Sequence, residues 1–192
     1  MIMNKNSEKK ELVIFIDSGD TLVDESTEIR DGAGTVLKAG LYPGAGETLA
    51  KLYESGYTIA LVADGTKASF DNIYSQWDLD YCFHAKAISG ELGQEKPAPV
   101  MFRHAMEDLG LTDSDTSRIV MVGNNLKRDI AGANRLGIIS VLAAYSPRYV
   151  MQPDNEEETP DYVIAAPEEL FELAELLERQ IRNRRICSKK QP

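Results

Sequence analysis

Cysteine is scarce. The chain has two, Cys82 in an apolar stretch and Cys187 near the C-terminus, which is too few for a disulfide framework. A reducing, cytoplasmic setting is therefore expected. The two histidines, His84 and His104, show no metal-ligand spacing and read as ordinary structural residues. Long apolar runs are absent: none approaches the ~20 residues that span a bilayer. The hydrophobic part of "MIMNKNSEKKELVIFID" is too short for a signal peptide. No membrane partner is expected. Basic charge is in deficit, with 21 Lys and Arg against 31 Asp and Glu, a net charge of −10. That balance excludes a duplex nucleic-acid binder, which needs clustered cations to neutralise phosphates. The exception is the basic end "RQIRNRRICSKKQP", which reads as a frayed, solvated tail or else a small docking patch for an acidic partner. There is no internal repeat and no "GxxxxGK[ST]" loop. "GAGTV" and "PGAGETL" contain GxG without the preceding strand that dinucleotide binding requires.

What is present is a regular alternation. The length of 192 residues, 43% of them hydrophobic, suits one α/β domain. Strands are expected at Val13–Ile16, "YTIALVA", "YCFHAKAIS", "RIVMVG", "IISVLAA" and "DYVIAA". Helices are expected at "PGAGETLAKLYESG", "TKASFDNIYSQW", "APVMFRHAMEDLG", "LKRDIAGANRLG" and "PEELFELAELLERQ". In the second of these, Phe70, Ile73, Tyr74 and Trp77 fall at helical spacing. Strands alternating with helices imply a mostly parallel, Rossmann-like sheet in a three-layer α/β/α sandwich. The stretch from Leu22 to Leu41, with the Gly-rich "DGAG" at its middle, reads as a β-hairpin flap. No stretch is long enough for a large cap domain. The expected division is an N-terminal extension over 1–11, one domain over 12–178 and a basic tail over 179–192.

Polar residues recur where strands end. Asp17 follows the first strand, Asp64 the second and Asn124 the strand "RIVMVG". Parallel sheets hold their ligands outside these carboxyl ends. "GQEKPAP" sets Lys96 in a loop just before a helix, and "VGNNLKRD" sets Asn124 and Asp129 around the start of another. Two carboxylates and an ammonium at one edge suit Mg²⁺ and a phosphate. A carboxylate can attack phosphorus and form an aspartyl-phosphate, and a lysine can neutralise the charge that gathers there.

In these segments the chain resembles the haloacid dehalogenase-like (HAD) hydrolase superfamily, over roughly residues 12–178. "IDSGDTL" is similar to the first motif of that family, "LVADG" stands in the place of the second, "GQEKPAPVMF" is similar to the third and "VGNNLKRDIAGANRLG" to the fourth. The resemblance implies Asp17 as nucleophile and Lys96 as its catalytic and phosphate-binding partner. It implies Mg²⁺ held by Asp17, the backbone carbonyl of Gly19, Asn124 and Asp129. It also implies a phosphate-binding position at Ala63 and Asp64, the latter more a loop brace than a catalyst.

Three positions depart from the family's phosphatases. Gly19 stands where they usually carry the Asp that serves as general acid and base. Ala63 stands where a Ser or Thr holds a phosphoryl oxygen. Asn124 stands where the metal has an acid. Loss of the general acid weighs most, since such catalysis contributes about 10²–10⁴-fold. Ala63 forfeits a hydrogen bond of about 0.5–1.5 kcal/mol. Asp20, one residue beyond Gly19, is the alternative acid and base. The expected function is a slow Mg²⁺-dependent phosphohydrolase, acting on a phosphorylated small molecule or a macromolecular phosphoester. The alternative is a catalytically degraded module that binds a phospho-ligand or forms oligomers. A dehalogenase ranks behind both, because that chemistry relies on a cap. Without a cap, the open site suits a bulky substrate or closure by a second subunit in a homo-oligomer.

Overall fold

A computed structural model describes residues 9–146 and 148–188, the side chains of Cys187 and Ser188 excepted. Most of the expected N-terminal extension, and the last four residues of the tail, lie outside the described residues. The elements in chain order are β1 (Val13–Ile16), β2 (Val23–Arg30), β3 (Val36–Leu41), α1 (Ala45–Glu54), β4 (Thr58–Ala63), α2 (Lys67–Gln76), β5 (Ala85–Ile88), α3 (Ser89–Leu92), α4 (Pro99–Asp108), β6 (Ile119–Gly123), α5 (Ala131–Arg135), β7 (Ile139–Ala143), β8 (Tyr162–Ile164) and α6 (Glu169–Ser188).

All four residues of β1 are buried, because the strand lies inside a sheet covered on both faces. The sheet has six strands in the order β5-β4-β1-β6-β7-β8, and every pairing is parallel. Side chains alternate across it. Val13 and Phe15 pack with Met101, Phe102 and Ala105 of α4, while Ile14 and Ile16 pack with Leu49 and Leu52 of α1 and Leu177 of α6. The result is the α/β/α sandwich that the alternation implied.

β2 and β3 form a separate antiparallel hairpin just after β1. The Asp31 carboxylate closes its turn by accepting the N–H groups of Ala33 (2.9 Å) and Thr35 (2.8 Å). The hairpin is tied to α2 rather than to the main sheet. The Val36 N–H donates to Ser69 Oγ and the Val36 carbonyl accepts from Asn72, while Gln76 both donates to and accepts from the Ala39 backbone. Among the described residues no larger domain covers the carboxyl edge.

Three local features differ from the expectation. Residues 126–130 form a single π-helical turn before α5, rather than the start of one continuous helix. The Asn125 carboxamide accepts from the N–H groups of Lys127 and Arg128, and Asp129 is drawn inward. Trp77 is 44% exposed, because α2 ends one residue earlier; its indole N–H donates to the Ala39 carbonyl at 2.8 Å. The basic segment beyond residue 178 continues α6 as far as Ser188 instead of fraying. Arg182 pairs with Glu178 one turn back (2.5 Å), and Arg185 pairs with Glu11 (2.8 Å).

Glu178 anchors that helix. Its buried carboxylate accepts the N–H groups of Glu11 (3.0 Å) and Leu12 (2.8 Å), just ahead of β1. Burial alone would raise its pKa. The Leu12 N–H, the Arg182 guanidinium and the Glu11 N–H outweigh burial and hold it below its ordinary 4.5. A depressed acid stabilises the fold above its ordinary pKa, and that contribution is lost as pH falls through the depressed value. Glu178→Ala should cost about 1–3 kcal/mol at neutral pH by orphaning the Leu12 N–H. Urea denaturation at pH 7 and pH 3 should show the gap between parent and variant narrowing in acid.

Candidate active site

The loops leaving β1, β4 and β6 meet at one edge. Asp17 is the first residue past β1, and its N–H donates to the Val122 carbonyl at 2.9 Å, which continues the sheet register by one step. The turn after it is tight: the Ser18 carbonyl accepts from Thr21, Leu22 and Val23. Asp20 has the left-handed φ of 50° that this reversal requires. The Tyr74 hydroxyl meets Ser18 Oγ from beneath (2.9 Å), and the Tyr145 hydroxyl donates to the Thr21 carbonyl (2.6 Å).

Lys96 reaches in from the loop before α4. Its Nζ donates to Asp17 Oδ1 (2.6 Å), Asp129 Oδ1 (2.7 Å) and the Val62 carbonyl (2.9 Å). An ammonium has three protons, so all are engaged. Lysine, both carboxylates and the Asn124 side chain are buried. The other Asp129 oxygen accepts the Asn125 N–H at 3.0 Å. Asp129 also lies over Gly123, where a Cβ would come within 2.6 Å of the Asp129 Cβ, so the chain needs glycine there.

Two buried carboxylates share one ammonium, which leaves one negative charge in excess. Burial raises the pKa of Asp17 and of Asp129 above the ordinary 3.8, and Lys96 only partly offsets this. Burial by itself would lower the pKa of Lys96, but the Asp129 and Asp17 carboxylates outweigh it and hold that pKa above 10.5. The lysine is therefore charged.

The remaining sequence candidates are placed as follows. Asp64 accepts the Lys96 backbone N–H at 3.0 Å and lies 3.3 Å from Arg128, so it fixes the lysine loop. Ala63 ends β4 with a buried methyl. Asp20 is engaged by the flap and by Arg148. Its Oδ1 accepts the Glu25 N–H (3.2 Å) and faces the Tyr42 hydroxyl (3.4 Å), and its Oδ2 faces Arg148 (3.1 Å). Asn124 is buried with its Nδ2 unpartnered. Gly19 lies under the flap, and its φ is not in the positive range. Sequence reasoning passed over Glu25, Arg148 and Tyr42, which surround this turn. Glu25 carried only a weak signal, its place in the acid-dense "DESTE", and Tyr42 and Arg148 carried none.

The model of the haloacid dehalogenase-like hydrolases matches residues 11–137. The chain belongs to this family. Among curated HAD-like relatives, it is 33% identical to glyceraldehyde 3-phosphate phosphatase of Methanopyrus kandleri over 132 residues, covering 69% of this chain and 55% of that protein. It is 41% identical to ribulose-1,5-bisphosphate 5-phosphatase of Halopiger xanaduensis over 102 residues, covering 53% and 41%. The chain spans about half the length of the curated relatives it matches. In fold it is similar to an uncharacterized protein from Listeria monocytogenes serotype 4b, with TM-score 0.69 and 22% identity over 88% of this chain and 99% of that one. No helix among the described residues of this HAD-like chain is long and apolar enough to cross a membrane.

The donor set at this HAD-like edge fits Mg²⁺. It consists of oxygens: two carboxylates, backbone carbonyls and one carboxamide. The Asp17 oxygen that Lys96 does not hold receives a long hydrogen bond from the Thr21 hydroxyl, at 3.4 Å. The carboxamide of Asn124 is buried with an orphaned nitrogen, so that side chain is not committed to holding the fold.

Proposed function

We propose that the protein is a Mg²⁺-dependent phosphohydrolase of phosphorylated small molecules, with Asp17 as the nucleophile. One observation carries the reading: Asp17 is clamped by a buried, charged lysine at the carboxyl edge of a parallel sheet, with Asp129 on the lysine's other side. A structural ion pair has no need of three charged groups with a surplus negative charge, because that arrangement costs stability. The names of the relatives, which are phosphatases of sugar-type phosphates, support the substrate class.

Lys96 holds the Asp17 carboxylate in place, so that one of its oxygens attacks phosphorus while the other is left to the metal. Attack forms the Asp17–phosphorus bond and expels the alcohol, and water then cleaves the aspartyl-phosphate to inorganic phosphate. Asp17, Asp129, the Asn124 carboxamide and the Gly19 carbonyl would hold Mg²⁺, which supplies positive charge to the phosphoryl oxygens. The second reading, a module that binds a phospho-ligand without turnover, is favoured by the methyl of Ala63 in place of a hydroxyl.

The test is phosphate release from a panel of aryl, acyl and sugar phosphates, with quenched samples examined by mass spectrometry. The expected result is Mg²⁺-dependent release and a phosphoryl adduct on Asp17. Binding of a phosphate with neither release nor adduct would favour the second reading. Asn124→Asp should tighten Mg²⁺ in a calorimetric titration, because it adds a charge to the ligand set; equal affinity would misplace the metal.

A further inference from the structure

The space beside Gly19 is filled. A Cβ built on this residue would collide with Glu25 Oε1 and lie 2.8 Å from Glu25 Cδ. Glu25 belongs to the flap strand β2, which the turn at residues 18–23 folds back over the loop after Asp17. The Gly19–Val23 bridge and the Asp20 N–H to Val23 carbonyl bond (2.7 Å) fix that fold-back. The Glu25 N–H is held by Asp20 Oδ1, and Glu25 Oε2 is held by Arg148. The hydrogen bonds of the described residues leave Oε1 without a partner, and it is the oxygen that lies against Gly19. Apart from the nucleophile Asp17, the other carboxylates of this edge have both oxygens engaged. Asp20 is held by Arg148 and the Glu25 N–H, Asp64 by Arg128 and the Lys96 N–H, and Asp129 by Lys96 and the Asn125 N–H.

We propose that Glu25 is the general acid and base of the reaction, its carboxyl group delivered from the flap into the volume that a side chain at position 19 would occupy. This rests on the reading of Asp17 as nucleophile. In the first step the Asp17 oxygen bonds to phosphorus as the bond to the leaving oxygen breaks, and the proton on Glu25 passes to that oxygen, releasing the alcohol. In the second step the Glu25 carboxylate takes a proton from water while the water oxygen bonds to phosphorus. The bond to Asp17 breaks, inorganic phosphate leaves, and Glu25 is protonated again. Position 19 is glycine because the acid arrives from elsewhere, and the site is not short of one.

The experiment measures the first turnover, read as release of the alcohol, for phosphates of graded leaving-group basicity. The parent, Glu25→Gln, Gly19→Asp and the double variant Gly19→Asp/Glu25→Ala are compared with Mg²⁺ present. In Glu25→Gln the rate for alkyl phosphates should fall about 10²–10⁴-fold, and the rate for p-nitrophenyl phosphate far less, so that dependence on the leaving group steepens. Gly19→Asp alone should gain nothing, because Glu25 holds the space. The double variant should recover the alkyl rate, because a carboxyl group returns to the vacated volume. An equal loss for all leaving groups, or no rescue, would overturn the role of Glu25 while leaving Asp17 as nucleophile. A parent that releases no alcohol from any phosphate would overturn both.

Discussion

Asp17→Asn should abolish phosphate release and yet melt no lower than the parent. The two outcomes have one cause. A carboxamide cannot attack phosphorus, so turnover should fall on the order of 10⁴-fold or more, as it does when nucleophiles are removed elsewhere. The same change removes one of two buried carboxylates that compete for a single ammonium. Asn Oδ1 can still accept the Lys96 proton, and the surplus charge disappears. The raised pKa of Asp17 means the folded state binds its proton more tightly than the unfolded chain does. For such a group, stability is lost as pH rises from the ordinary value through the raised one. The advantage of Asp17→Asn in melting temperature should therefore be largest near neutral pH and vanish near pH 4. Thermal melts across that range, in chelator, test the stability half. Parent-like hydrolysis of aryl phosphates by the variant would remove Asp17 from the chemistry.

Lys96→Met should do the opposite to stability and the same to activity. It leaves Asp17 and Asp129 facing each other, buried, with no cation between them. Breaking a buried pair in this way costs about 3–5 kcal/mol. The carboxylates then hold protons more tightly still, so the penalty should shrink in acid and grow toward pH 8. The Val62 carbonyl loses its donor as well, which adds to the loss. Urea denaturation at pH 5 and pH 8 measures both effects. A loss below about 1 kcal/mol at pH 8 would mean that the ammonium is not the neutralising group of this edge.

The parts of this molecule that could be read in its sequence are those where one local signal fixes one outcome. Val13–Ile16 has no polar residue to place, so it lies inside the sheet. "DGAG" between two alternating runs can only turn. Asp17, Lys96 and Asp129 fall at strand and helix ends, and the parallel sheet gathers such ends at one edge. The basic end of α6 is solvated as read, but it does not fray: the helix runs to Ser188, with Arg182 paired to Glu178 and the exposed Arg185 to Glu11. Trp77 kept its helical spacing after the helix had stopped. Glu25 was beyond reach for a different reason. Nothing in the spacing of eight residues from Asp17 says that a left-handed residue, Asp20, will fold the flap back onto Gly19.

The flap also bears on self-association. A two-stranded hairpin standing off the main sheet offers unpaired backbone to any passing strand, and such edges seed aggregates. Here α2 supplies the missing neighbour with side chains. Ser69, Asn72, Gln76 and Trp77 occupy the backbone groups of Val36 and Ala39, as a third strand would. The hairpin is thereby closed to edge-to-edge stacking along that margin. The carboxyl edge of the sheet can stay uncovered without the flap becoming a template for fibres.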